Sequence, residues 1–146
     1  MTIQRSSLVW VYGLVALLAL IGTWGNNFHY MTSGLSPLDM NILFWKETLA
    51  NPASRSITVD IFFLSIPVTI WMMMEARRLQ MRGIWFYLVG SLLIAVSMTV
   101  PLFMALRERK LASTQPEAGT LNAAEIVWAL VLGIVVVIYT AHTLAL

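Results

Sequence analysis

Long runs of apolar residues, separated by short polar stretches, dominate this chain of 146 residues. Four runs hold almost no charge: residues 8–24, 57–74, 84–106 and 126–146. A helix rises about 1.5 Å per residue and the hydrocarbon core of a bilayer is about 30 Å thick, so runs of this length are typical of transmembrane helices. The pattern predicts an all-α fold, an integral membrane bundle of four transmembrane helices forming one domain over residues 1–146.

A fifth helix is predicted between the first two runs. Ser36 can cap a helix whose first turn holds Pro37 and Asp39, which is a typical helix start. Apolar side chains then recur at helical spacing: Leu38, Ile42, Trp45 and Leu49. The sequence therefore predicts a short amphipathic interfacial helix at about 37–50, lying on the membrane surface or against a partner protein.

The composition excludes an ordinary water-soluble globule. Hydrophobic residues make up 59% of the chain and charged residues 11%, against the roughly 25% charge of an average soluble domain. The basic residues lie in short clusters between the apolar runs and not along a soluble face, which excludes nucleic acid as a partner. The expected partners are membrane lipid, other membrane subunits, or an isoprenoid or pigment.

Four crossings would place both termini and residues 75–83 on one side of the membrane, and residues 25–56 and 107–125 on the other. Lys and Arg number four on the first side and five on the second, so the positive-inside rule does not choose an orientation. The first side concentrates its basic residues in fewer positions, which favours it as the cytoplasmic one. The sequence thus predicts an integral membrane protein with both termini in the cytoplasm.

Asp60 is the one Asp, Glu, Lys or Arg inside the four runs. It lies on a helical stripe with Trp71 and Glu75 that is expected to point into the bundle. An acidic side chain within a membrane costs free energy and often has a functional role, so Asp60 is the candidate catalytic acid. The alternative role is structural, because Asp60 is near the start of its run and could cap the helix or pair with Arg55.

Six residues are candidates for binding a ligand: Trp71, Glu75, Glu125, Trp128, Tyr139 and His142. The four-crossing topology puts Asp60 on the same side as Glu125, and Glu75 on the same side as His142. Structural roles are open here as well. Glu75 could form a rim ion pair with Arg78, Glu125 suits a helix start, and His142 suits the membrane interface.

The sequence does not identify a cofactor, and three common kinds of cofactor site are not expected. The two histidines fall on opposite sides in this topology, so this chain alone is not expected to hold a haem or a multi-histidine metal site. Neither lysine lies in an apolar run, which excludes a retinal Schiff base. No haem, metal or retinal site is predicted.

The order of several motifs resembles one known family. In chain order the motifs are Ala50-Asn51-Pro52-Ala53, Asp60, Trp71, Glu75-Ala76-Arg77-Arg78, Pro101-Leu102-Phe103 and Arg107-Glu108-Arg109. This order resembles the bacterial membrane proteins of the uncharacterised domain-of-unknown-function family 2834, over residues 25–112. The resemblance implies a polytopic protein of the bacterial cytoplasmic membrane without an assigned activity. The spacing of Asp60, Trp71 and Glu75, followed by Pro101-Leu102, is also similar to that in plant membrane proteins needed for neoxanthin formation.

Two functions of different classes remain open. The favoured one is a non-catalytic subunit, or a lipid- or pigment-binding module, of a membrane assembly. The other is a membrane-embedded enzyme acting on an isoprenoid or carotenoid, in which Asp60 protonates an alkene or epoxide. Convergence of Asp60 and Glu125 on an enclosed cavity would favour the enzyme.

Overall fold

The computed structural model describes residues 1–146, which are helical except for two short strands and the connecting turns. The helices are α1 (Arg5–Met31), α2 (Pro37–Glu47), α3 (Pro52–Arg78), α4 (Ile84–Gly90), α5 (Val96–Leu111) and α6 (Ala123–Leu144), with a π-helical turn at Ser91–Ala95. Four apolar segments have the length and composition to cross a membrane, and the third combines α4, the π turn and α5. The predicted all-α membrane bundle is confirmed.

Polar side chains cap the start of three helices. The Ser36 hydroxyl accepts a backbone N–H from the first turn of α2, as predicted. Asn51 and Ser54 form a reciprocal capping box at the start of α3, and Asn122 and Glu125 form another at the start of α6. Each cap satisfies N–H groups that have no partner within their own helix, so it fixes where the helix begins.

The helix predicted between the first two apolar runs is confirmed as α2, which connects the end of α1 to the start of α3. The Tyr30 hydroxyl donates to the Glu47 carboxylate. Trp45 packs against Phe62 of α3, with ring centroids 5.7 Å apart. The helix ends at Glu47, slightly before the predicted boundary, because the chain turns at residues 48–51.

The third apolar segment folds back on itself. Ala95 is extended (φ −170°, ψ 130°), so the helical path stops there and α5 returns alongside α4. The hydroxyl oxygens of Ser91 and Thr99 lie 2.5 Å apart, whereas eight residues of straight helix would span about 12 Å. The rings of Tyr87 and Phe103 also meet, with centroids 5.5 Å apart. The segment is therefore a hairpin of two antiparallel helices where the sequence predicted one.

Because of this hairpin, the segment after α5 lies beside the start of the chain. Lys110 Nζ donates to the carbonyl of Gln80, 2.8 Å away, at the mouth of the hairpin. The guanidinium of Arg5 pairs with Glu108 at 2.5 Å. The prediction that residues 107–125 lie across the membrane from the N-terminus is wrong, since it assumed that the third segment continues straight.

Two short strands close the same end of the bundle. β1 (Thr2–Gln4) pairs antiparallel with β2 (Glu117–Thr120). Strands of three or four residues show no recognisable alternation, so the sequence pattern did not indicate them. We name this the charged end, and it comprises residues 1–5, 75–83 and 107–125.

The last helix, α6, runs parallel to α1. At its start, the amino group of Met1 donates to the carbonyl of Leu121, 2.9 Å away. Near its finish, Asn26 Nδ2 donates to Thr143 Oγ1 over 3.3 Å. The two termini therefore lie at different ends of the bundle, where the sequence predicted them on one side. We name the end away from the charged one the opposite end, and it comprises residues 26–56 and 140–146.

The buried core is small and sits between α3 and the hairpin. Met72, Ala76 and Phe103 are buried together, and Trp71 packs edge-on against Phe103 with centroids 5.7 Å apart. No residue of α6 is buried, and the buried residues of α3 begin at Met72. The remaining apolar helix faces are open, as expected of a chain whose surrounding solvent is lipid.

Candidate functional site

The stripe of Asp60, Trp71 and Glu75 enters the bundle only in its second half. Asp60 is exposed and lies toward the opposite end. Trp71 packs on Phe103, and Glu75 is only 8% exposed. The inward orientation predicted for the stripe is correct at Glu75 and wrong at Asp60, and Trp71 contacts Phe103 but is still 38% exposed. The reason is that the hairpin packs against the second half of α3 alone.

Five charged side chains form a network at the charged end. The Glu75 carboxylate accepts from Arg78 Nη2 at 2.5 Å and from Arg107 Nε at 2.6 Å. The Glu108 carboxylate binds Arg107 and, at 2.5 Å, Arg5. No buried side-chain nitrogen or oxygen lacks a partner. Burial of these charges is therefore compensated by direct pairing at every carboxylate.

One of the four ion pairs in this network was visible in the sequence. The pair between Glu75 and Arg78 was one of the roles considered for Glu75, and the structure contains it. Arg107 is 32 residues from Glu75 along the chain, and the two meet only because the hairpin returns. The one available signal for Arg107 and Glu108 was their position directly after an apolar run, where charges of both signs are adjacent.

Basic residues outnumber acidic ones at the charged end. The network itself contains three guanidiniums and two carboxylates. Four further exposed basic residues surround it: Arg77, Arg82, Arg109 and Lys110. The other acidic residues at this end are Glu117 and Glu125. The charged end is therefore net positive and attracts anions such as phosphate headgroups.

An open groove runs along α3 into the network. Its volume is about 450 Å³, and it is lined by Pro67, Ile70, Trp71, Met74, Glu75 and Arg78. The wall is apolar over most of its length and ends at Arg78, whose side chain is 57% exposed. We name this the α3 groove. All six lining residues belong to α3, and their chemistry, apolar along the helix and cationic at Arg78, matches that of an amphiphile with an anionic head.

A second open groove lies between α2 and α3 at the opposite end. Its volume is about 360 Å³, and it is lined by Trp45, Thr48, Leu49, Arg55, Thr58, Val59 and Phe62. Arg55 donates to the carbonyl of Leu49 at 2.8 Å and forms no ion pair with Asp60. The pairing of Arg55 with Asp60 that the sequence suggested is therefore absent.

The other predicted binding residues lie on α6, away from the α3 groove. Glu125 caps the start of α6 together with Asn122, which is the structural role considered for it. Trp128 and Tyr139 are 71% and 67% exposed, and His142 is exposed near the end of the helix. The structure does not bring these residues together with Trp71 and Glu75.

The structure changes which polar residues share an end of the bundle. Glu125 lies at the charged end with Glu75, and His142 lies at the opposite end with Asp60. The predictions that joined Asp60 to Glu125 and Glu75 to His142 are wrong, because they rested on a straight third segment. His29 is at the same end as His142, not across from it. No group of three or more His, Cys, Asp or Glu residues is placed to hold a metal ion.

Comparison with known proteins gives one relationship. No curated protein and no solved structure matches the chain significantly. A family model matches residues 11–109, which is more than half of the chain. The matched part includes all of the hairpin except the last two residues of α5, the α3 groove, and the ion pair of Glu75 with Arg107. On this match, the chain belongs to the family described as protein of unknown function DUF2834.

Proposed function

We propose that the protein is a non-catalytic lipid-binding module of a bacterial cytoplasmic membrane, and that it holds an anionic lipid in the α3 groove. The observation that carries this proposal is the course of the groove, from an apolar wall at Pro67 and Trp71 to the exposed guanidinium of Arg78. A phospholipid has the same order of chemistry, from acyl chain to phosphate.

The dimensions of the α3 groove support a lipid lying within one leaflet. Pro67 and Arg78 are eleven residues apart on one helix, which corresponds to about 16 Å. This distance is close to half of the roughly 30 Å hydrocarbon core. A headgroup at Arg78 would therefore leave its acyl chain alongside Trp71 and Pro67, at the depth where apolar contact is needed.

Glu75 prepares Arg78 to receive a phosphate. Two bonds from Arg78 to the Glu75 carboxylate, 2.7 Å from Nε and 2.5 Å from Nη2, fix the plane of the guanidinium. The remaining N–H donors of Arg78 point away from Glu75, and its side chain is more than half exposed. A guanidinium held in this way binds phosphate with little further loss of side-chain entropy.

Asp60 as the acid of an isoprenoid-converting enzyme stays a prediction. Asp60 is exposed, and Glu125 lies at the other end of the bundle. Neither of the two grooves contains Asp60. The geometry therefore favours binding at the α3 groove over acid catalysis at Asp60.

The proposal is tested by native mass spectrometry of purified protein presented with phosphatidylglycerol or phosphatidylcholine. We expect the protein to retain phosphatidylglycerol preferentially. Arg78→Gln should weaken that retention about tenfold, equivalent to about 1.4 kcal/mol. The matched control is Arg77→Gln, which removes the same charge from the neighbouring position but does not line the groove, and it should change retention less than twofold.

Two results would overturn the proposal. Equal weakening by Arg78→Gln and Arg77→Gln would mean that the charged end attracts lipid diffusely, without a site in the groove. A pigment or isoprenoid in the extract of the purified protein, with no preference for phosphatidylglycerol, would assign the groove to a different ligand.

A further inference from the structure

We infer that α4 and α5 form a re-entrant hairpin, so that the chain crosses the membrane three times with its charged end in the cytoplasm. In this topology α1, α3 and α6 cross the bilayer. The third apolar segment enters from the charged side, turns at Ala95 and leaves on the side from which it came. The two ends of the chain then lie on different sides of the membrane.

The lengths of the helices support three crossing helices and one re-entrant hairpin. α1 and α3 have 27 residues each and α6 has 22, which correspond to about 40 Å and about 33 Å. α5 has 16 residues, and α4 with the π turn has 7 and 5, which correspond to about 24 Å and about 18 Å. A hydrocarbon core is about 30 Å thick, so the first three helices can cross it and neither arm of the hairpin can.

Contacts at the mouth of the hairpin show that its two ends share one side. Gln80, before α4, accepts from Lys110, at the end of α5, over 2.8 Å. Glu75 accepts from Arg107 over 2.6 Å. A straight segment of 28 residues would separate these groups by about 42 Å, which is more than the thickness of the hydrocarbon core.

Polar groups at the tip of the hairpin are satisfied within the protein. The indole N–H of Trp24 donates to the carbonyl of Ile94 at 3.2 Å, beside the break. The hydroxyl of Thr99 donates to the carbonyl of Ala95 at 3.1 Å and lies 2.5 Å from the hydroxyl of Ser91. Non-helical backbone is tolerated at membrane depth only where protein supplies such partners.

The distribution of charge then gives the orientation. Seven basic residues lie at the charged end: Arg5, Arg77, Arg78, Arg82, Arg107, Arg109 and Lys110. The opposite end has only Lys46 and Arg55. Lys and Arg in short loops are retained on the cytoplasmic side. For four straight crossings, the positive-inside rule does not decide between the two orientations. For three crossings and a re-entrant hairpin, it assigns the charged end to the cytoplasm.

Cysteine accessibility in intact bacterial cells tests this topology, because the chain has no cysteine of its own. Single substitutions are made at four exposed positions: Ser6→Cys, Ser33→Cys, Ser113→Cys and Ala145→Cys. A membrane-impermeant maleimide should label Ser33→Cys and Ala145→Cys in intact cells. Ser6→Cys and Ser113→Cys should be labelled only after the membrane is permeabilised, and permeabilised cells report whether each thiol is reactive.

The competing topologies predict that different pairs of cysteine variants are labelled together. Four straight crossings would place Ser113→Cys with Ser33→Cys and Ala145→Cys with Ser6→Cys, and that result would overturn the hairpin. Labelling of Ser6→Cys and Ser113→Cys in intact cells, with the other two protected, would overturn the cytoplasmic assignment. If Ser113→Cys is unreactive or poorly expressed, Ala118→Cys in the same exposed link replaces it.

Discussion

The hydroxyl oxygens of Ser91 and Thr99 lie 2.5 Å apart although the two residues are eight positions apart in the sequence, because α5 returns beside α4 at Ala95. Side chains this close can be joined by a disulfide when both are cysteine. We expect the double variant Ser91→Cys with Thr99→Cys to lose both maleimide-reactive thiols on oxidation, as measured by intact-protein mass spectrometry.

The matched control for this cross-link is Ser91→Cys with Ser97→Cys. Ser97 is on α5 as well, but it is exposed and about 200° around the helix from Thr99. This pair should keep both thiols free. Reactive thiols in both double variants would contradict the packed hairpin.

Glu75 and Asp60 are both carboxylates of α3, and only Glu75 is expected to matter for stability. Glu75→Gln leaves Arg107, whose side chain is 25% exposed, with one carboxylate partner in place of two. Breaking a largely buried ion pair from one side costs about 3 kcal/mol or more. We expect a loss of about 3 kcal/mol in the free energy of unfolding, measured by denaturation in detergent micelles.

Asp60→Asn is the control, since it removes the same charge from an exposed position of the same helix. A surface substitution without lost contacts changes stability by less than about 0.5 kcal/mol. Comparable losses for Asp60→Asn and Glu75→Gln would show that the charge of α3, and not the network, sets the stability.

Gly22 is expected to hold α6 against α1. A Cβ at Gly22 would lie 2.8 Å from Thr140 Cγ2, and Thr140 is β-branched and has little freedom to move away. Gly22→Val should therefore separate the helices. The measurement is the disulfide yield of Asn26→Cys with Thr143→Cys, whose native side chains are within hydrogen-bonding distance.

We expect Gly22→Val to reduce that disulfide yield by more than half. Gly13→Val is the control, because a Cβ at Gly13 meets nothing within 4 Å, and it should leave the yield unchanged. An unchanged yield with Gly22→Val would mean that close packing at Gly22 does not hold α6 in place.

Arg5 ties the link after α5 to the start of α1. Its Nε donates to the Gln115 carbonyl at 2.6 Å and its Nη1 to Glu108 at 2.5 Å. A lysine presents one ammonium without this fork, so Arg5→Lys cannot keep both bonds in the same geometry. We expect hydrogen exchange in residues 112–120 to become about tenfold faster, equivalent to about 1.4 kcal/mol of easier local opening.

Arg77→Lys serves as the control for this exchange experiment. Arg77 is exposed at the same end of the bundle and takes no part in the ion pairs. Exchange in residues 112–120 should match that of the unmodified protein. Equal acceleration by both variants would indicate a general loss of stability at the charged end.

Local patterns in the sequence were sufficient for the class of the protein and for its helix starts. The apolar runs identify the solvent because the free energy of transferring a helix into lipid depends on the length and composition of that helix and not on its tertiary contacts. The cap at Ser36 depends on residues within one turn, so α2 was found with its first residue correct. The ion pair of Glu75 with Arg78 was suggested for the same reason, since the two residues are three apart on one helix.

The break at Ala95 has no local signal. Neither glycine nor proline occurs within the apolar stretch of residues 92–96, and these are the residues that normally mark a helix break. Hydropathy is the same for a helix that crosses a membrane once and for a hairpin that enters and leaves on one side. The contacts of Ser91 with Thr99 and of Glu75 with Arg107 distinguish the two paths.

The sequence by itself therefore determined that the chain is helical and surrounded by lipid, because both properties follow from composition and short-range periodicity. The tertiary structure decided which ends of the helices meet. It placed Arg107 beside Glu75 and Glu125 far from Asp60, and it gathered most of the basic residues at one end. The physical reason is that pairings between residues tens of positions apart depend on the path of the backbone, which a change in the dihedral angles of one residue can reverse.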